Sequence, residues 1–339
     1  MLFHHEIVSQ SICAPEQVLI PEFLLNAIEH LLVVKQDVLC PKSDIYKYYS
    51  DKNENQLVLL LNPIDPETVN GFFEVEKKTG VVIEQIFKKI KHDFKHIEYV
   101  DLMDLKTESQ HKQILFLAEE KEKRLTQAQK TFIEAKNTLN NIYTIYDEAT
   151  DPDQIQKFIN DLYLWVSPLL DEEENKEKDI QSCYFRSQSL FHLTLPFRDI
   201  KQKVILKGHY RTGISYCLKV LENKIKQLNQ AIIRYHCPLY SNDADMLYLS
   251  NQNLAIIDGM DPHRFEPIHP LDKTFNLDEQ CIDLKKILLY TKEINDAMSK
   301  YNKLLSRATL ILHSANVYQK QYQHIMIQNN PGLEKLFKM

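Results

Sequence analysis

Glycine is scarce in this chain of 339 residues, which contains only 6 of them, far below the average usage of about 7%. Because glycine adopts positive φ more readily than any other residue, we expect few β-hairpins. The sequence contains neither the G-x-G-x-x-G fingerprint of dinucleotide-binding folds nor the G-x-x-x-x-G-K-S/T fingerprint of P-loops. From these absences we expect no glycine-rich phosphate-binding loop.

Paired cysteines are also missing. The 6 cysteines are scattered without any C-x-x-C pair, which is typical of free thiols in a reducing compartment and not of a disulfide framework. Among the functional sites that we assign from the sequence, none is a metal centre.

Targeting signals and a strong positive charge are absent as well. The first residues lack the basic and apolar regions of a secretory signal, and the most apolar stretch, residues 23–39, is interrupted by charged side chains. We therefore expect a cytoplasmic protein, or one delivered to a host cytosol if it is an effector. The net charge of -6 argues against a nucleic-acid partner.

Apolar residues at alternating steps of three and four predict three long helices, over residues 281–328, 107–148 and 213–236. This spacing places apolar side chains on one face of each helix, and that face must be buried against another helix. Alanine, threonine and tyrosine are common at these positions, which favours an irregular antiparallel bundle over a parallel coiled coil.

We therefore predict a mainly α fold, a helical bundle with long antiparallel helices. Residues 1–106 would form a small mixed, mostly helical N-terminal region with at most a few short strands, and residues 107–339 would form the bundle. Residues 237–276 contain four prolines and no helical period, which predicts a long ordered loop. We find no internal repeat in the sequence.

That loop contains the strongest candidate for a catalytic site. Two histidines, an arginine and four carboxylates lie within residues 258–272, and imidazole with carboxylate can supply a general acid and base. Long ordered loops also carry function more often than helices do. The candidate catalytic residues are Asp261, His263, Glu266 and His269.

A basic segment precedes the predicted start of the 213–236 helix. Because helix N-termini bind phosphate, we predict that Lys207, His209 and Arg211 bind a phosphorylated ligand. The alternative is that these charges pair with the acidic run at residues 171–179. The sequence identifies no particular cofactor.

Residues 81–96 predict an amphipathic helix with an apolar face and four lysines elsewhere. Such a helix could lie on an anionic membrane, although core packing with a solvated lysine face is the simpler interpretation. His92 and His96 would lie one helical turn apart, a spacing that suits a metal pair.

Three functional hypotheses follow. The first is a helical protein–protein interaction or adaptor module that binds a protein partner. A translocated bacterial effector or its regulator is one form of this hypothesis, because the composition is typical of AT-rich bacterial genomes. The second is an enzyme of hydrolase or transferase type with its site in residues 236–272. The third is a peripheral membrane-binding protein that uses the helix at residues 81–96.

Overall fold

The chain divides into two units, each of which contains one β-sheet. The computed structural model describes residues 3–7, 18–35, 40–49, 56–65, 67–101, 107–170, 181–184, 200–209, 212–228, 230, 232–237, 239–240, 242–260 and 265–328. The first unit comprises residues 1–130, 186–188 and 307–339, and the second comprises 131–185 and 189–306. The domain boundary suggested near residue 106 stays a prediction.

The prediction of a mainly α helical bundle is wrong. The described residues form a seven-stranded sheet in the first unit and a six-stranded sheet in the second. Two of the helices are much longer than the others, but the strands supply much of the buried core. The protein is therefore a mixed α and β structure.

The first unit is built on the seven-stranded sheet, in the order β1-β4-β5-β6-β2-β7, with β3 paired to β5. Its strands are β1 Phe3–Ile7, β2 His30–Val34, β3 Cys40–Pro41, β4 Gln56–Leu61, β5 Thr68–Glu74, β6 Thr79–Ile83 and β7 His96–Val100. Its short helices are α1 Glu22–Ala27, α2 Lys42–Tyr49 and α3 Glu84–Phe87. The long helix α4 Glu108–Thr138 follows.

The second unit is built on the six-stranded sheet, in the order β8-β10-β11-β12-β9-β13. Its strands are β8 Gln181–Tyr184, β9 Gln202–Lys207, β10 Ile233–His236, β11 Ala244–Leu249, β12 Leu254–Asp258 and β13 Lys273–Asn276. Its helices are α5 Asn140–Ala149, α6 Pro152–Val166, α7 Ile214–Gln227, α8 Leu277–Cys281 and α9 Leu284–Leu289. The long helix α10 Thr291–Gln328 follows, and its residues from 307 onwards belong to the first unit. Apolar residues of α6 and α7 pack with those of the central strands in one core.

The two sheets have the same topology. Read from β1 and from β8, successive neighbours pair parallel, antiparallel, antiparallel, parallel and parallel in both sheets. The strands also follow one another along the chain in the same order, apart from the extra β3, and each set is followed by a long helix. The chain therefore contains a structural repeat that the sequence did not reveal.

The strand register repeats as closely as the topology does. Leu60 opposes Gly71 in the first sheet, and Tyr235 opposes Met246 in the second. Each residue of the second pair lies 175 positions after its counterpart in the first pair. The register shift that follows Leu60 recurs directly after Tyr235. Because bulges are specific local features of a sheet, their recurrence at the same step supports a duplicated unit over a chance likeness.

Burial on both faces of a sheet explains why the sequence pattern did not predict its central strands. In β2, the four residues after His30 are all apolar and all buried. A strand that is covered on both faces needs apolar side chains at every position. Such a continuous run fits the helical spacing as well as the strand spacing, so periodicity could not distinguish them.

The predicted spacing of buried residues is observed in the long helices. In α10 the buried residues recur at the predicted steps of three and four, at Tyr301, Leu305, Ala308, Leu312, Ala315, Gln319, Tyr322 and Met326. Within the first unit, Lys121 lies over the Tyr322 ring at 5.5 Å and Arg124 over the Tyr318 ring at 5.8 Å. Because the numbering rises along α4 while it falls along α10, these helix segments run antiparallel.

The predicted helices are longer than those observed. The 281–328 helix is interrupted, so that only α10 is long, and the 107–148 helix is divided between α4 and α5. The 213–236 helix ends at Gln227, and its last residues form β10. Tertiary pairing with the sheet has overridden helix propensity at the end of the 213–236 segment.

Two further predictions are wrong for the same reason. Residues 237–276 are not a loop, because they contain β11, β12 and β13. Residues 81–96 are not an amphipathic helix, because only Glu84–Phe87 is helical and both ends of the segment belong to strands. His92 and His96 therefore do not share a helix face. Among the described residues, no helix is both long and apolar enough to cross a membrane.

Candidate phosphate-binding site

A strand–loop–helix segment of the second unit has the outline of a phosphate-binding loop. β9 ends at Lys207, Gly208 follows, and α7 begins at Ile214, directly after Gly213. Two glycines five positions apart, then any residue and Ser215, give G-x-x-x-x-G-x-S between a strand and a helix. This segment resembles the P-loop, which has the same element order and a lysine where Ile214 stands.

Gly213 has a backbone conformation that the loop requires. Its φ is 99°, in the region that favours glycine over residues with a Cβ. A Cβ at this position would also lie 2.9 Å from Cδ1 of Ile155. The turn into α7 therefore depends on glycine, just as the glycines of phosphate loops permit a tight turn with exposed N–H groups.

The N-terminus of α7 has donors available for an anion. Gly213 at the N-cap has no side chain to cap the helix, and the first N–H groups of any α-helix lack an intrahelical acceptor. The helix dipole adds a partial positive charge at this end. Together these features favour binding of a negatively charged group next to Gly213.

Thr212 provides a second and independent indication of a ligand. Its side chain is 1% exposed, lies in the loop directly before Gly213, and its Oγ1 has no hydrogen-bond partner among the described residues. A buried hydroxyl without a partner is costly, and a ligand or an ordered water that hydrogen-bonds to Thr212 would remove that cost.

These residues line a cleft of about 450 Å³, within the size range of small-molecule sites. The lining residues are Tyr143, Asp147, Thr212, Gly213, Ile214, Ser215, Tyr216, Lys219, Cys237, Leu239, Tyr240, Asp243, Asp245, Asp258, Met260 and Tyr301. All belong to the second unit. The cleft therefore combines the helix N-terminus with four carboxylates, four tyrosines and one lysine.

Asp258 reaches the cleft from the neighbouring parallel strand. It ends β12, where it pairs in register with Leu206 of β9, and its carboxylate accepts a hydrogen bond of 2.9 Å from the N–H of Met260. Four apolar residues precede it in the strand. An aspartate in this place, beside the loop strand, corresponds to the aspartate that holds Mg²⁺ in P-loop proteins.

The carboxylates of the cleft affect one another. Burial, together with the charge of Asp245, raises the pKa of the Asp243 carboxyl, although Arg234 and a hydrogen bond from the Ser215 hydroxyl oppose this. Burial and the charge of Asp245 also raise the pKa of the Cys237 thiol. A cysteine that stays protonated is a poor nucleophile, so Cys237 is not suited to nucleophilic thiol chemistry.

The first unit has a counterpart of the turn into α7, and there the residues directly before the helix pair with a strand. Val34 pairs with Ile83 in the first sheet, at the step where Leu206 pairs with Asp258 in the second sheet. Pro41 and Lys42 follow Val34 at the same spacing as Gly213 and Ile214 follow Leu206, so they are the corresponding residues.

In the first unit, β3 occupies the place of the open loop. Cys40 and Pro41 pair with β5, the N–H of Lys42 donates to the Glu67 carbonyl at 2.9 Å, and its Nζ lies 3.0 Å from the Glu67 carboxylate. The helix keeps Lys42 and Ser43 but presents no free N-terminus at Lys42. We therefore expect ligand binding only in the second unit.

The residues predicted from the sequence lie elsewhere or contact one another. Lys207 Nζ lies 2.7 Å from the Glu266 carboxylate. His209 is held by Asp278, which accepts hydrogen bonds from its backbone N–H and lies 2.5 Å from its Nδ1. This contact raises the pKa of His209, with burial opposing it. None of the three basic or acidic side chains Lys207, His209 and Glu266 lines the cleft.

The remaining predicted residues do not form a described catalytic cluster. The Nδ1 of His269 accepts a hydrogen bond of 3.2 Å from the N–H of Leu271, within a turn. Asp261, His263 and Arg211 lie outside the described residues. A catalytic role for Asp261, His263, Glu266 and His269 stays a prediction, and so does a ligand-binding role for Lys207, His209 and Arg211.

Sequence reasoning missed Thr212, Gly213 and Ser215 as site residues, and it included Asp258 only as one of the four carboxylates of residues 258–272. The signal was present as the glycine spacing and as four apolar residues followed by Asp258, but the missing lysine at position 214 led us to exclude a phosphate loop. Across the described part of the chain, no group of three or more His, Cys, Asp or Glu side chains is arranged to hold a metal ion.

No protein-family model, curated protein or solved structure matches the chain. The interpretation of the cleft therefore rests on its geometry and chemistry.

Proposed function

We propose that the second unit binds a phosphorylated ligand of the nucleoside di- or triphosphate class, together with Mg²⁺. The observation that carries this proposal is the β9–α7 turn, where Gly213 and the first residues of α7 line the same cleft as Asp258. Phosphate groups are the anions that such turns bind in other proteins.

The donor set supports Mg²⁺ as the companion of the phosphates. Ser215 offers a hydroxyl and Asp258 a carboxylate, both of which are the hard oxygen ligands that Mg²⁺ prefers. Mg²⁺ is usually held by one or two such side chains and completes its shell with water and substrate phosphates. The bound ion would neutralise part of the negative charge of the cleft and of the ligand.

Replacing either of the two proposed Mg²⁺ ligands should weaken binding without unfolding the protein. We expect wild type to bind ATP or GTP with Mg²⁺ in isothermal titration calorimetry at one ligand per chain, because the residues before the corresponding helix of the first unit pair with β5. Ser215→Ala and Asp258→Asn should each weaken this binding by about tenfold or more, since each removes an oxygen ligand of the cation.

The matched control is Asp296→Asn, which changes an exposed aspartate of α10 in the same way. It should bind as wild type does. The proposal fails if wild type binds neither nucleotide, nor inorganic tripolyphosphate, in the presence of Mg²⁺, or if both site variants retain the affinity of wild type.

We also keep the interaction module as a second candidate function, supported by an exposed apolar cluster on and beside α9. Leu284, Leu288 and Leu289 are exposed to 53%, 70% and 79%, and Tyr290 to 40%. Contiguous apolar side chains on a protein surface often mark a protein-binding site. The amphipathic helix that motivated the membrane-binding alternative is not formed, so we do not develop that alternative.

Charge at this cluster should prevent association with a protein partner. We expect Leu288→Glu/Leu289→Glu to lose any partner that co-purifies with the wild-type chain in an affinity pull-down, because binding would bury the added charges. Leu164→Glu, which changes a leucine exposed to 67% on α6, should retain it. If the double variant retains every partner, this cluster is not the binding surface.

A further inference from the structure

The lysine of a phosphate loop normally supplies the positive charge that contacts the terminal phosphates. In this chain the corresponding position is Ile214, which is 3% exposed and belongs to the apolar core of the second unit. The open loop therefore lacks that charge. A ligand with several phosphates would need a cation from another position.

Lys219 is suitably placed to supply that charge. It is the one lysine or arginine among the described residues that line the cleft, and it follows Ser215 by four positions along α7. Residues four apart lie on the same face of a helix, and helical side chains lean towards the N-terminus. The Lys219 side chain is therefore directed back along the face that carries Ser215, towards the loop.

Lys219 also has no other described role. It makes no ion pair, hydrogen bond or ring contact with any residue that the structure describes, although four carboxylates line the same cleft. By contrast, Lys224 and Lys226 of the same helix contact Tyr163 and Glu222. An exposed lysine that lines an acidic cleft without pairing is available to a ligand.

We propose that Lys219 replaces the missing loop lysine and binds the terminal phosphate of the ligand from one turn further along α7. This inference rests on the proposed function and specifies the ligand more closely. The site should prefer ligands with two or more linked phosphates over monophosphates, because only the longer chain extends from the loop at Gly213 towards the ammonium group of Lys219.

The test compares inorganic tripolyphosphate with inorganic phosphate, each with Mg²⁺, in calorimetric titrations of wild type, Lys219→Met and Lys219→Arg. We expect Lys219→Met to weaken tripolyphosphate binding by about tenfold to a hundredfold, as expected for a lost charged hydrogen bond. The affinity for inorganic phosphate should change by less than about threefold. Lys219→Arg, which keeps the charge, should retain most of the tripolyphosphate affinity.

Lys300→Met is the matched control, because Lys300 is an exposed lysine of α10 without a described partner. It should bind as wild type does, and all variants should melt within a few degrees of wild type. If wild type binds tripolyphosphate and Lys219→Met binds it equally well, the role of Lys219 is refuted while the proposed function stands. If wild type does not bind tripolyphosphate, the role of Lys219 falls together with the proposed function.

Discussion

Asp272→Ala should destabilise the protein by about 3–5 kcal/mol, because it leaves a buried ammonium group unpaired. The Asp272 side chain is 0% exposed, and its Oδ2 lies 3.1 Å from Nζ of Lys203, a side chain that is itself 10% exposed. The carboxylate also accepts hydrogen bonds of 2.9 Å from the N–H groups of Lys203, Ile268 and His269. One side chain thus fixes the segment before β13 to β9.

The pH dependence of this effect can be predicted from the pKa of Asp272. Burial raises that pKa, but the hydrogen bonds from His269, Ile268 and Lys203 outweigh burial and lower it overall. A carboxyl whose pKa is lowered on folding stabilises the protein above its unfolded pKa of about 3.9 and loses that contribution as the pH falls through the folded value. The difference between wild type and Asp272→Ala should therefore be constant from about pH 5 to 8 and shrink only in stronger acid.

Urea denaturation measures this difference, and Lys203 provides the control. Lys203→Met/Asp272→Ala should be less destabilised than the sum of the two single variants, since removing both charges leaves no unpaired ion. Asp296→Ala, at an exposed position, should cost less than about 1 kcal/mol. An Asp272→Ala protein that unfolds at the urea concentration of wild type would contradict this account of the buried pair.

The fold could be predicted from the sequence only where burial is one-sided. Helix α10 buries one face, so Leu305, Ala308, Leu312 and Ala315 recur with a period that identifies both the helix and its buried residues. Strand β12 is buried along Leu254–Ile257, so its sequence has no period to detect. Predictions of element type therefore succeeded on the long helices and failed on the central strands of both sheets.

The structural repeat could not be read from the sequence because the backbone is repeated without the side chains. Leu60 and Gly71 of the first unit correspond to Tyr235 and Met246 of the second. A packed core requires that the total volume of its side chains be kept, but not the residue at each position. Corresponding positions of the two units can therefore differ in residue type. Hydrogen-bond register is a property of the backbone and survives such exchange.

Part of the candidate site could have been predicted from the sequence. Gly208, Gly213 and Ser215 have the spacing of a phosphate loop, and a search that did not require lysine at position 214 would have found them. The position of Asp258 beside the loop depends on the pairing of β12 with β9, which joins strands that are distant in sequence. That pairing is a long-range contact, and local patterns do not encode it.

Gly213→Val should abolish ligand binding and destabilise the protein by about 2–3 kcal/mol. A β-branched residue at φ of 99° is strained, and its Cβ would lie 2.9 Å from Cδ1 of Ile155. The turn before α7 would have to change, and the first N–H groups of the helix would no longer face the cleft. Calorimetric titration with ATP and Mg²⁺ and urea denaturation measure the two effects separately.

The pair Gly213→Ala and Gly213→Ala/Ile155→Val separates backbone strain from side-chain crowding. Valine lacks the Cδ1 atom that a Cβ at position 213 would meet, so the double variant relieves the contact but not the positive φ. If the backbone is the cause, Gly213→Ala should remain impaired in binding after Ile155→Val is added, relative to Ile155→Val alone. Full recovery in the double variant, or normal binding by Gly213→Ala itself, would show that the loop does not depend on this conformation.

The first unit contains a natural version of this substitution. Its counterpart of Gly213 is Pro41, and proline is restricted to φ near −65°, so the open turn cannot form there. The chain instead forms β3, which pairs Cys40 and Pro41 with β5. We therefore expect Gly213→Pro to impair the second unit more severely than Gly213→Ala, because it both prohibits the positive φ and removes one of the N–H groups next to the proposed phosphate.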